Sequence, residues 1–244
     1  MARQRLDLLL VARGLAPTRE KAQGLILAGL VEVDGRRSEK AGAPVSEDAD
    51  VRVGGPLHPY VSRGGIKLAA ALDAFAIDPR GLVCADIGAS TGGFTDCLLQ
   101  RGAARVYAVD VGYGQLDAGL RGDPRVVVLE KVNARALSEV HLPEPVALAA
   151  VDLSFISVRK VLPALIPRLA PVAAVVVLVK PQFEAGRSEV GKGGIVRDPA
   201  IRERVVREVG EFAAGIGLAI VGVVPSPIRG ARGNQEYVAV YRVP

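Results

Sequence analysis

The chain of 244 residues contains no tryptophan, five tyrosines and five phenylalanines. So few rings exclude a main binding mode in which successive bases of a single strand stack on aromatic platforms. Cysteine and histidine are as scarce, at two each. The two cysteines, Cys84 and Cys97, make no disulfide framework and no zinc set, which fits a reducing cytoplasm. Both fall where apolar residues are expected, Cys84 on a strand and Cys97 on a helix, so neither is assigned as a nucleophile. Long hydrophobic runs are missing too. The longest, Val172 to Val179, is too short to cross a bilayer. It is rich in valine and reads as a buried parallel strand. At the start of the chain, Asp7 and Arg13 interrupt the apolar stretch, which is too short for the h-region of a signal peptide. The charge excess is small, +5, and leans towards a polyanionic partner without requiring one. Apolar residues make up half the chain, enough for a substantial core in one or two domains.

The chain is organised around Leu82 to Phe94, LVCADIGASTGGF. Leu82 to Ala85 reads as a buried strand that ends at Asp86. A small-residue loop follows, with Gly88, Ser90, Gly92 and Gly93, and then a helix from Phe94 to Arg101. Strand, glycine loop and helix are how α/β proteins bring backbone N–H groups close to a ligand. The loop is not the G-x-G-x-x-G of dinucleotide folds. An acid two residues before its first glycine suits a ligand bearing an ammonium group better than a pyrophosphate, and S-adenosylmethionine carries one.

The first ~55 residues read as a separate small α+β unit. Leu6, Leu9 and Leu10 have helical spacing over Arg5 to Arg13. A second helix follows Thr18, its expected N-cap, with Ala22, Leu25 and Ile26 on one face. Asp34-Gly35 is a strong hairpin turn, and Val51 to Val53 is expected to close the strands. The unit resembles the S4 RNA-binding domain. The resemblance rests on Arg5-Leu6-Asp7, on TREKAQGLILAGLVEVDG from Thr18, and on Lys40-Ala41-Gly42 with Val45. It implies RNA binding, with Arg5, Arg19, Lys21, Arg37 and Lys40 as the phosphate contacts. The expected divisions are an S4-like domain over 1–54, a Gly/Pro linker over 55–61 that includes His58, and a second domain over 62–244.

In that second domain a helix is expected from Ile66 to Phe75, with Lys67 at its start, against the helix dipole. Strands are read at 105–109, 126–129, 146–151, 173–179, 218–224 and 235–243, the last pair forming an antiparallel end to a parallel sheet. Asp110 ends the second strand, where such folds hold ribose hydroxyls. Asn133 follows the third, placed for an adenine edge. A helix is expected over 157–169, shortened or kinked by Pro163 and Pro167. Residues 184–197 read as a mobile loop, and a further helix spans 199–214. Arg229 and Arg232 lie in the loop between the last two strands.

Asp152 and Lys180 end strands at the carboxyl edge of the sheet, where ligands bind in open α/β folds. Glu236 begins the last strand at the same edge. With Lys67 these form an ordered Lys-Asp-Lys-Glu set. Here the chain resembles the FtsJ-type ribose 2'-O-methyltransferases, through Lys67 in SRGGIKL, Asp152 in VDLSF, Lys180 in VKPQFE and Glu236 in NQEYVAV. An S4 unit joined to that domain, with VDVGYGQL at 109–116, resembles the TlyA (hemolysin-A type) family. The resemblance implies a Rossmann-like methyltransferase sheet and S-adenosyl-L-methionine as cofactor. It further implies methylation of a cytidine 2'-hydroxyl in ribosomal RNA or ribosomal subunits, in the cytoplasm, with no metal and no membrane. The cofactor set is Asp86, Gly88, Ser90, Gly92, Gly93, Phe94, Asp110 and Asn133. A ribose hydroxyl must be aligned with the sulfonium methyl and lose its proton as it attacks. Lys180 serves either as base, in its neutral form, or as the charged group that stabilises the developing alkoxide; the sequence leaves both open. Three rivals remain at this stage. Of base methyltransferases, the amino-directed kind needs a [DN]-P-P-[YF] loop, of which DLSF has the ends but neither proline. The C5-directed kind needs a cysteine nucleophile in that region, where neither Cys84 nor Cys97 lies. A membrane-damaging hemolysin lacks a convincing insertion segment. A non-catalytic RNA-binding adaptor has no need of the full tetrad.

Overall fold

The computed structural model describes residues 3–27, 29–38, 40–54, 58–230 and 233–244. Gly55 and Pro56 of the expected linker, and Arg232, lie outside the described residues. The chain divides into two units, Met1–Pro59 and Tyr60–Pro244, and the division falls inside the stretch 55–61.

The first unit runs β1 (Arg3–Arg5), α1 (Leu6–Ala12), α2 (Arg19–Leu27), β2 (Val31–Val33), β3 (Arg36–Arg37), β4 (Pro44–Ser46) and β5 (Val51–Val53). Thr18 Oγ1 accepts from the Lys21 amide, the bond that makes threonine a helix N-cap. Asp34 and Gly35 both have positive φ, 50° and 73°, the requirement of the two-residue turn joining β2 to β3. β5 closes that sheet against β2. The antiparallel pair β1–β4 has no signature in the sequence, because three-residue strands carry too little alternation to read. Leu6, Leu10, Ala22, Ile26 and Val31 are fully buried between the helices and the strands.

The second unit contains α3 (Gly64–Ala74), β6 (Val83–Ile87), α4 (Gly93–Gln100), β7 (Arg105–Val109), α5 (Ala118–Arg121), β8 (Val126–Leu129), β9 (Val146–Val151), α6 (Leu162–Leu165), β10 (Leu169–Val179), α7 (Pro181–Glu184), α8 (Pro199–Gly215), β11 (Ala219–Pro225) and β12 (Tyr237–Arg242). These strands form one seven-stranded sheet of order β11-β12-β10-β9-β6-β7-β8. β10, β9, β6, β7 and β8 run parallel, and β12 is antiparallel to both of its neighbours. The apolar run of β10 is explained by burial on both faces. Val175, Val177 and Val179 pack with Val205 and Val209 of α8. Val176 and Leu178 pack on the other face with Leu68 and Leu72 of α3 and Leu98 of α4. Cys84 and Cys97 are fully buried in this second layer, and burial pushes their thiols up to about 12 and about 11.

Two expectations are corrected. Residues 157–169 do not form one helix. They form a 3-10 turn (Val158–Lys160), the single turn α6 and a second 3-10 turn (Ile166–Arg168), because Pro163 and Pro167 lack the amides a continuous helix needs. Asp86 does not end its strand. It lies inside β6, which continues through Ile87, and its residue is fully buried. Residues 184–197 contain a 3-10 turn, Arg187–Glu189, and a tight bridge between Gly191 and Ile195.

Candidate active site

All four residues of the ordered set converge on one cavity of about 390 Å³ at the carboxyl edge of the sheet. Lys67 reaches it from the first turn of α3, Asp152 and Lys180 stand one residue beyond β9 and β10, and Glu236 one residue before β12. They form two ion pairs. Lys67 Nζ lies 2.5 Å from Glu236 Oε2, with side chains 10% and 2% exposed. Lys180 Nζ lies 2.5 Å from Asp152 Oδ1 and donates to Ser154 Oγ at 3.0 Å. The unfavourable helix-start position of Lys67 is thus offset by a buried carboxylate. Gly230 packs directly on the Glu236 carboxylate, leaving no room for a Cβ.

Asp86 lines the same cavity. Its Oδ2 accepts from the Thr95 amide and hydroxyl at 2.9 and 2.7 Å, whereas its buried Oδ1 has no hydrogen-bond partner. Burial, with smaller contributions from Asp152 and Asp110, pushes this carboxyl up to about 7. A buried acid with an open oxygen in a cavity wall is matched to a cationic ligand group.

A second cavity, of about 540 Å³, adjoins the first, and Gly88, Ser90, Asp152 and Ser154 line both. It contains Asp110 and Asn133 and has an apolar wall of Val111, Val132 and Ile156. Asp110 accepts the amides of Ser90 and Gly112, one on each oxygen, which leaves each oxygen a lone pair for a hydroxyl. Asn133 Oδ1 accepts from the Arg135 amide. Gly93 and Phe94 line the first cavity. Gly92 lines neither and faces Leu116 and Leu120. At Gly88, φ is +93° and a Cβ would strike the Asp152 carbonyl, so this glycine is required by the crossing of two chain segments.

Sequence reasoning missed two features of the rim. Phe155 has φ +66°, a conformation costly for a bulky residue, and is 89% exposed. Its ring stands 5.2 Å from that of Phe183. Ser154 holds Lys180. Both lie in the quoted VDLSF stretch, but positive φ at phenylalanine leaves no mark in a sequence.

In the first unit, Asp7 is fully buried. Arg5 grips both its oxygens, and Arg19 and Gln23 add bonds to Oδ2. The hydrogen bond from Arg5 is the largest influence holding this carboxyl well below the usual range, against its burial. Arg5 and Arg19 remain about half exposed, and Lys21, Arg37 and Lys40 are exposed.

Residues 60–242 match the FtsJ-like methyltransferase family. The chain belongs to that family. Residues 4–51 match the S4 domain. The chain is 51% identical to a 16S/23S rRNA (cytidine-2'-O)-methyltransferase, TlyA, of Mycobacterium tuberculosis, over 96% of this chain and 88% of that protein. It is 42% identical to hemolysin A of Brachyspira hyodysenteriae, over 96% and 98%. A solved Streptococcus thermophilus structure with a provisional hemolysin name is 43% identical, with a TM-score of 0.79 and coverage of 100% and 89%. This FtsJ-like methyltransferase therefore has relatives under both kinds of name. Among its described residues no helix is long and apolar enough to cross a membrane.

Proposed function

We propose that the chain transfers a methyl group from S-adenosylmethionine to the 2'-hydroxyl of a cytidine ribose in ribosomal RNA, on naked RNA or on a ribosomal subunit in the cytoplasm. The observation that carries this reading is the pair of lysine–carboxylate contacts facing one cavity, beside a second cavity with an acid at its ribose position. The first residues of the chain, 1–54, act as the RNA-binding domain, and 62–244 as the methyltransferase domain.

S-adenosylmethionine supplies a methyl group on a sulfonium that an oxygen nucleophile displaces. The open Oδ1 of Asp86 fits its ammonium, Asp110 its ribose hydroxyls and Asn133 its adenine edge, with the Val111, Val132 and Ile156 wall against the ring. Gly88 and Ser90 line the junction of the two cavities, and Gly93 and Phe94 the wall of the first. Lys180 acts through its ammonium. Its Nζ steers the ribose oxygen and stabilises the negative charge developing there. The hydroxyl proton passes to the Asp152 carboxylate, whose Oδ1 is paired with Lys180 Nζ at 2.5 Å. Lys67 and Glu236 hold the ribose in register from the opposite side. The exposed Phe155 ring, paired with Phe183, offers the target base a face to stack on. Arg5, Arg19, Lys21, Arg37 and Lys40 contact phosphates.

The test is Lys180→Ala. Loss of methylated product, with S-adenosylmethionine binding retained, supports the assignment. Unchanged turnover overturns it.

A further inference from the structure

Glu184 is a deeply buried carboxylate of the methyltransferase unit that the mechanism above leaves without a task; its side chain is 2% exposed. It ends α7, the short turn that follows Lys180. The bonds of its carboxylate cross to the segment after β9. Oε1 accepts from the Val158 amide at 2.7 Å, and Oε2 from Ser157 Oγ at 2.6 Å and Arg159 Nε at 3.3 Å. The main-chain carbonyl of Glu184 accepts from Arg159 Nη2 at 3.1 Å. Val158 itself is buried in the core, so the anchor is firm at both ends.

The two segments tied together are the ones that carry the reacting groups. Asp152, Ser154 and Phe155 precede Ser157, and Lys180 and Phe183 precede Glu184. Between them stand the Lys180–Asp152 ion pair, the Phe155–Phe183 ring pair and the approach of Lys180 Nζ to the Phe183 ring, 6.0 Å from its centroid. Ion pair and ring pair both depend on the spacing of two loops that share no backbone ladder beyond the strand ends.

We propose that Glu184 is a positioning residue: its carboxylate locks the segment after β9 to the turn after β10 and so sets the spacing of Lys180, Asp152 and the Phe155–Phe183 pair. The consequence for turnover rests on the function proposed above; the structural brace does not. Burial pushes the Glu184 carboxyl upwards, and the bonds from Ser157, Val158 and Arg159 oppose that push, as expected of a buried acid retained for the donors it gathers.

The experiment compares Glu184→Ala, Glu184→Gln and Ser157→Ala in the full chain, with melting temperatures alongside. A shift of ~1 Å in reacting groups costs on the order of 100-fold in rate. Glu184→Ala is expected to lower kcat roughly 10- to 100-fold and leave the dissociation constant for S-adenosylmethionine within about threefold. Glu184→Gln, which still accepts from Val158 and can donate to Ser157, recovers most of the rate. A folded Glu184→Ala protein with kcat within about twofold of wild type overturns the proposal. If that variant does not fold, Ser157→Ala carries the kinetic test, with a several-fold fall in kcat expected and none overturning it. A readout independent of catalysis uses the five phenylalanines replaced by 4-fluorophenylalanine, with Phe155 and Phe183 signals assigned by Phe→Leu variants. In Glu184→Ala, or in Ser157→Ala should that variant not fold, both fluorine signals shift together, whereas in Glu184→Gln they stay near wild type; if both stay fixed in the alanine variant, there is no brace. Should wild-type protein methylate no RNA, the proposed function falls, and the fluorine spectra still decide on Glu184.

Discussion

Replacing Lys67 by methionine separates the stability of the site from its chemistry. Glu236 is 2% exposed, Lys67 Nζ is 2.5 Å from its Oε2, and Gly230 covers the carboxylate closely. Lys67→Met keeps the volume of the aliphatic stem and leaves a buried carboxylate alone. Breaking one partner of a buried ion pair costs about 3–5 kcal/mol. For a unit of this size each kcal/mol lowers Tm by about 2–4 °C, so the methyltransferase transition is expected to fall by roughly 6–20 °C. The double variant Lys67→Met/Glu236→Leu removes the lone charge, and replacing both partners by apolar groups is often close to neutral. It should therefore melt above the single variant and still be inactive. With no tryptophan in the chain, far-UV circular dichroism and calorimetry are the readouts. A Lys67→Met protein that melts within about 2 °C of wild type, or a double variant no more stable than the single, would refute the reasoning.

Asp86 predicts a pH dependence. Its carboxyl is pushed up to about 7 in the folded chain from 3.8, so the folded state holds the proton more tightly. That stabilisation is full below about 4 and is lost as pH rises through about 7; Asp86→Asn should flatten this limb in melting curves. Asp7 has the opposite sign. Its carboxyl is held low by Arg5 first, so its contribution to the S4 unit is present above the ordinary carboxylate range and lost as pH falls below it. Asp7→Asn should raise hydrogen exchange in peptides 3–27 at pH 7, and unchanged exchange contradicts the role. For RNA binding, Lys21→Gln, Arg37→Gln and Lys40→Gln are each expected to reduce the salt dependence of affinity by about one unit of slope. Arg5 and Arg19 substitutions should lower the stability of the unit as well, because both arginines hold Asp7.

The sheet was legible because its strands announce themselves. Val126–Leu129 and Val146–Val151 are apolar runs bounded by polar residues, and the structure places strands on those residues. The candidate site was legible in outline, since polar residues at the ends of such runs must gather at one sheet edge; Lys67, Asp152, Lys180 and Glu236 do line one cavity. What sequence could not show depends on contacts between distant segments. An acid inside a buried strand is costly, and the Thr95 bonds that offset the cost at Asp86 leave no mark in the sequence. Asp7 stood in a quoted motif, but the convergence of Arg5, Arg19 and Gln23 on it is tertiary. Glu184 makes its bonds to residues 25 to 27 positions away, and nothing local marks it. The segment 157–169 misled because its apolar spacing is helical while its two prolines break the ladder.

The central claim is tested most directly by incubating the protein with labelled S-adenosylmethionine and ribosomal RNA, naked and in both subunits, followed by alkaline hydrolysis. A 2'-O-methyl group blocks cleavage at the adjacent phosphate. The account predicts label in an alkali-resistant dinucleotide whose methylated residue is cytidine. Label released in ordinary mononucleotides would place the methyl on a base and contradict the assignment of Lys67, Asp152, Lys180 and Glu236.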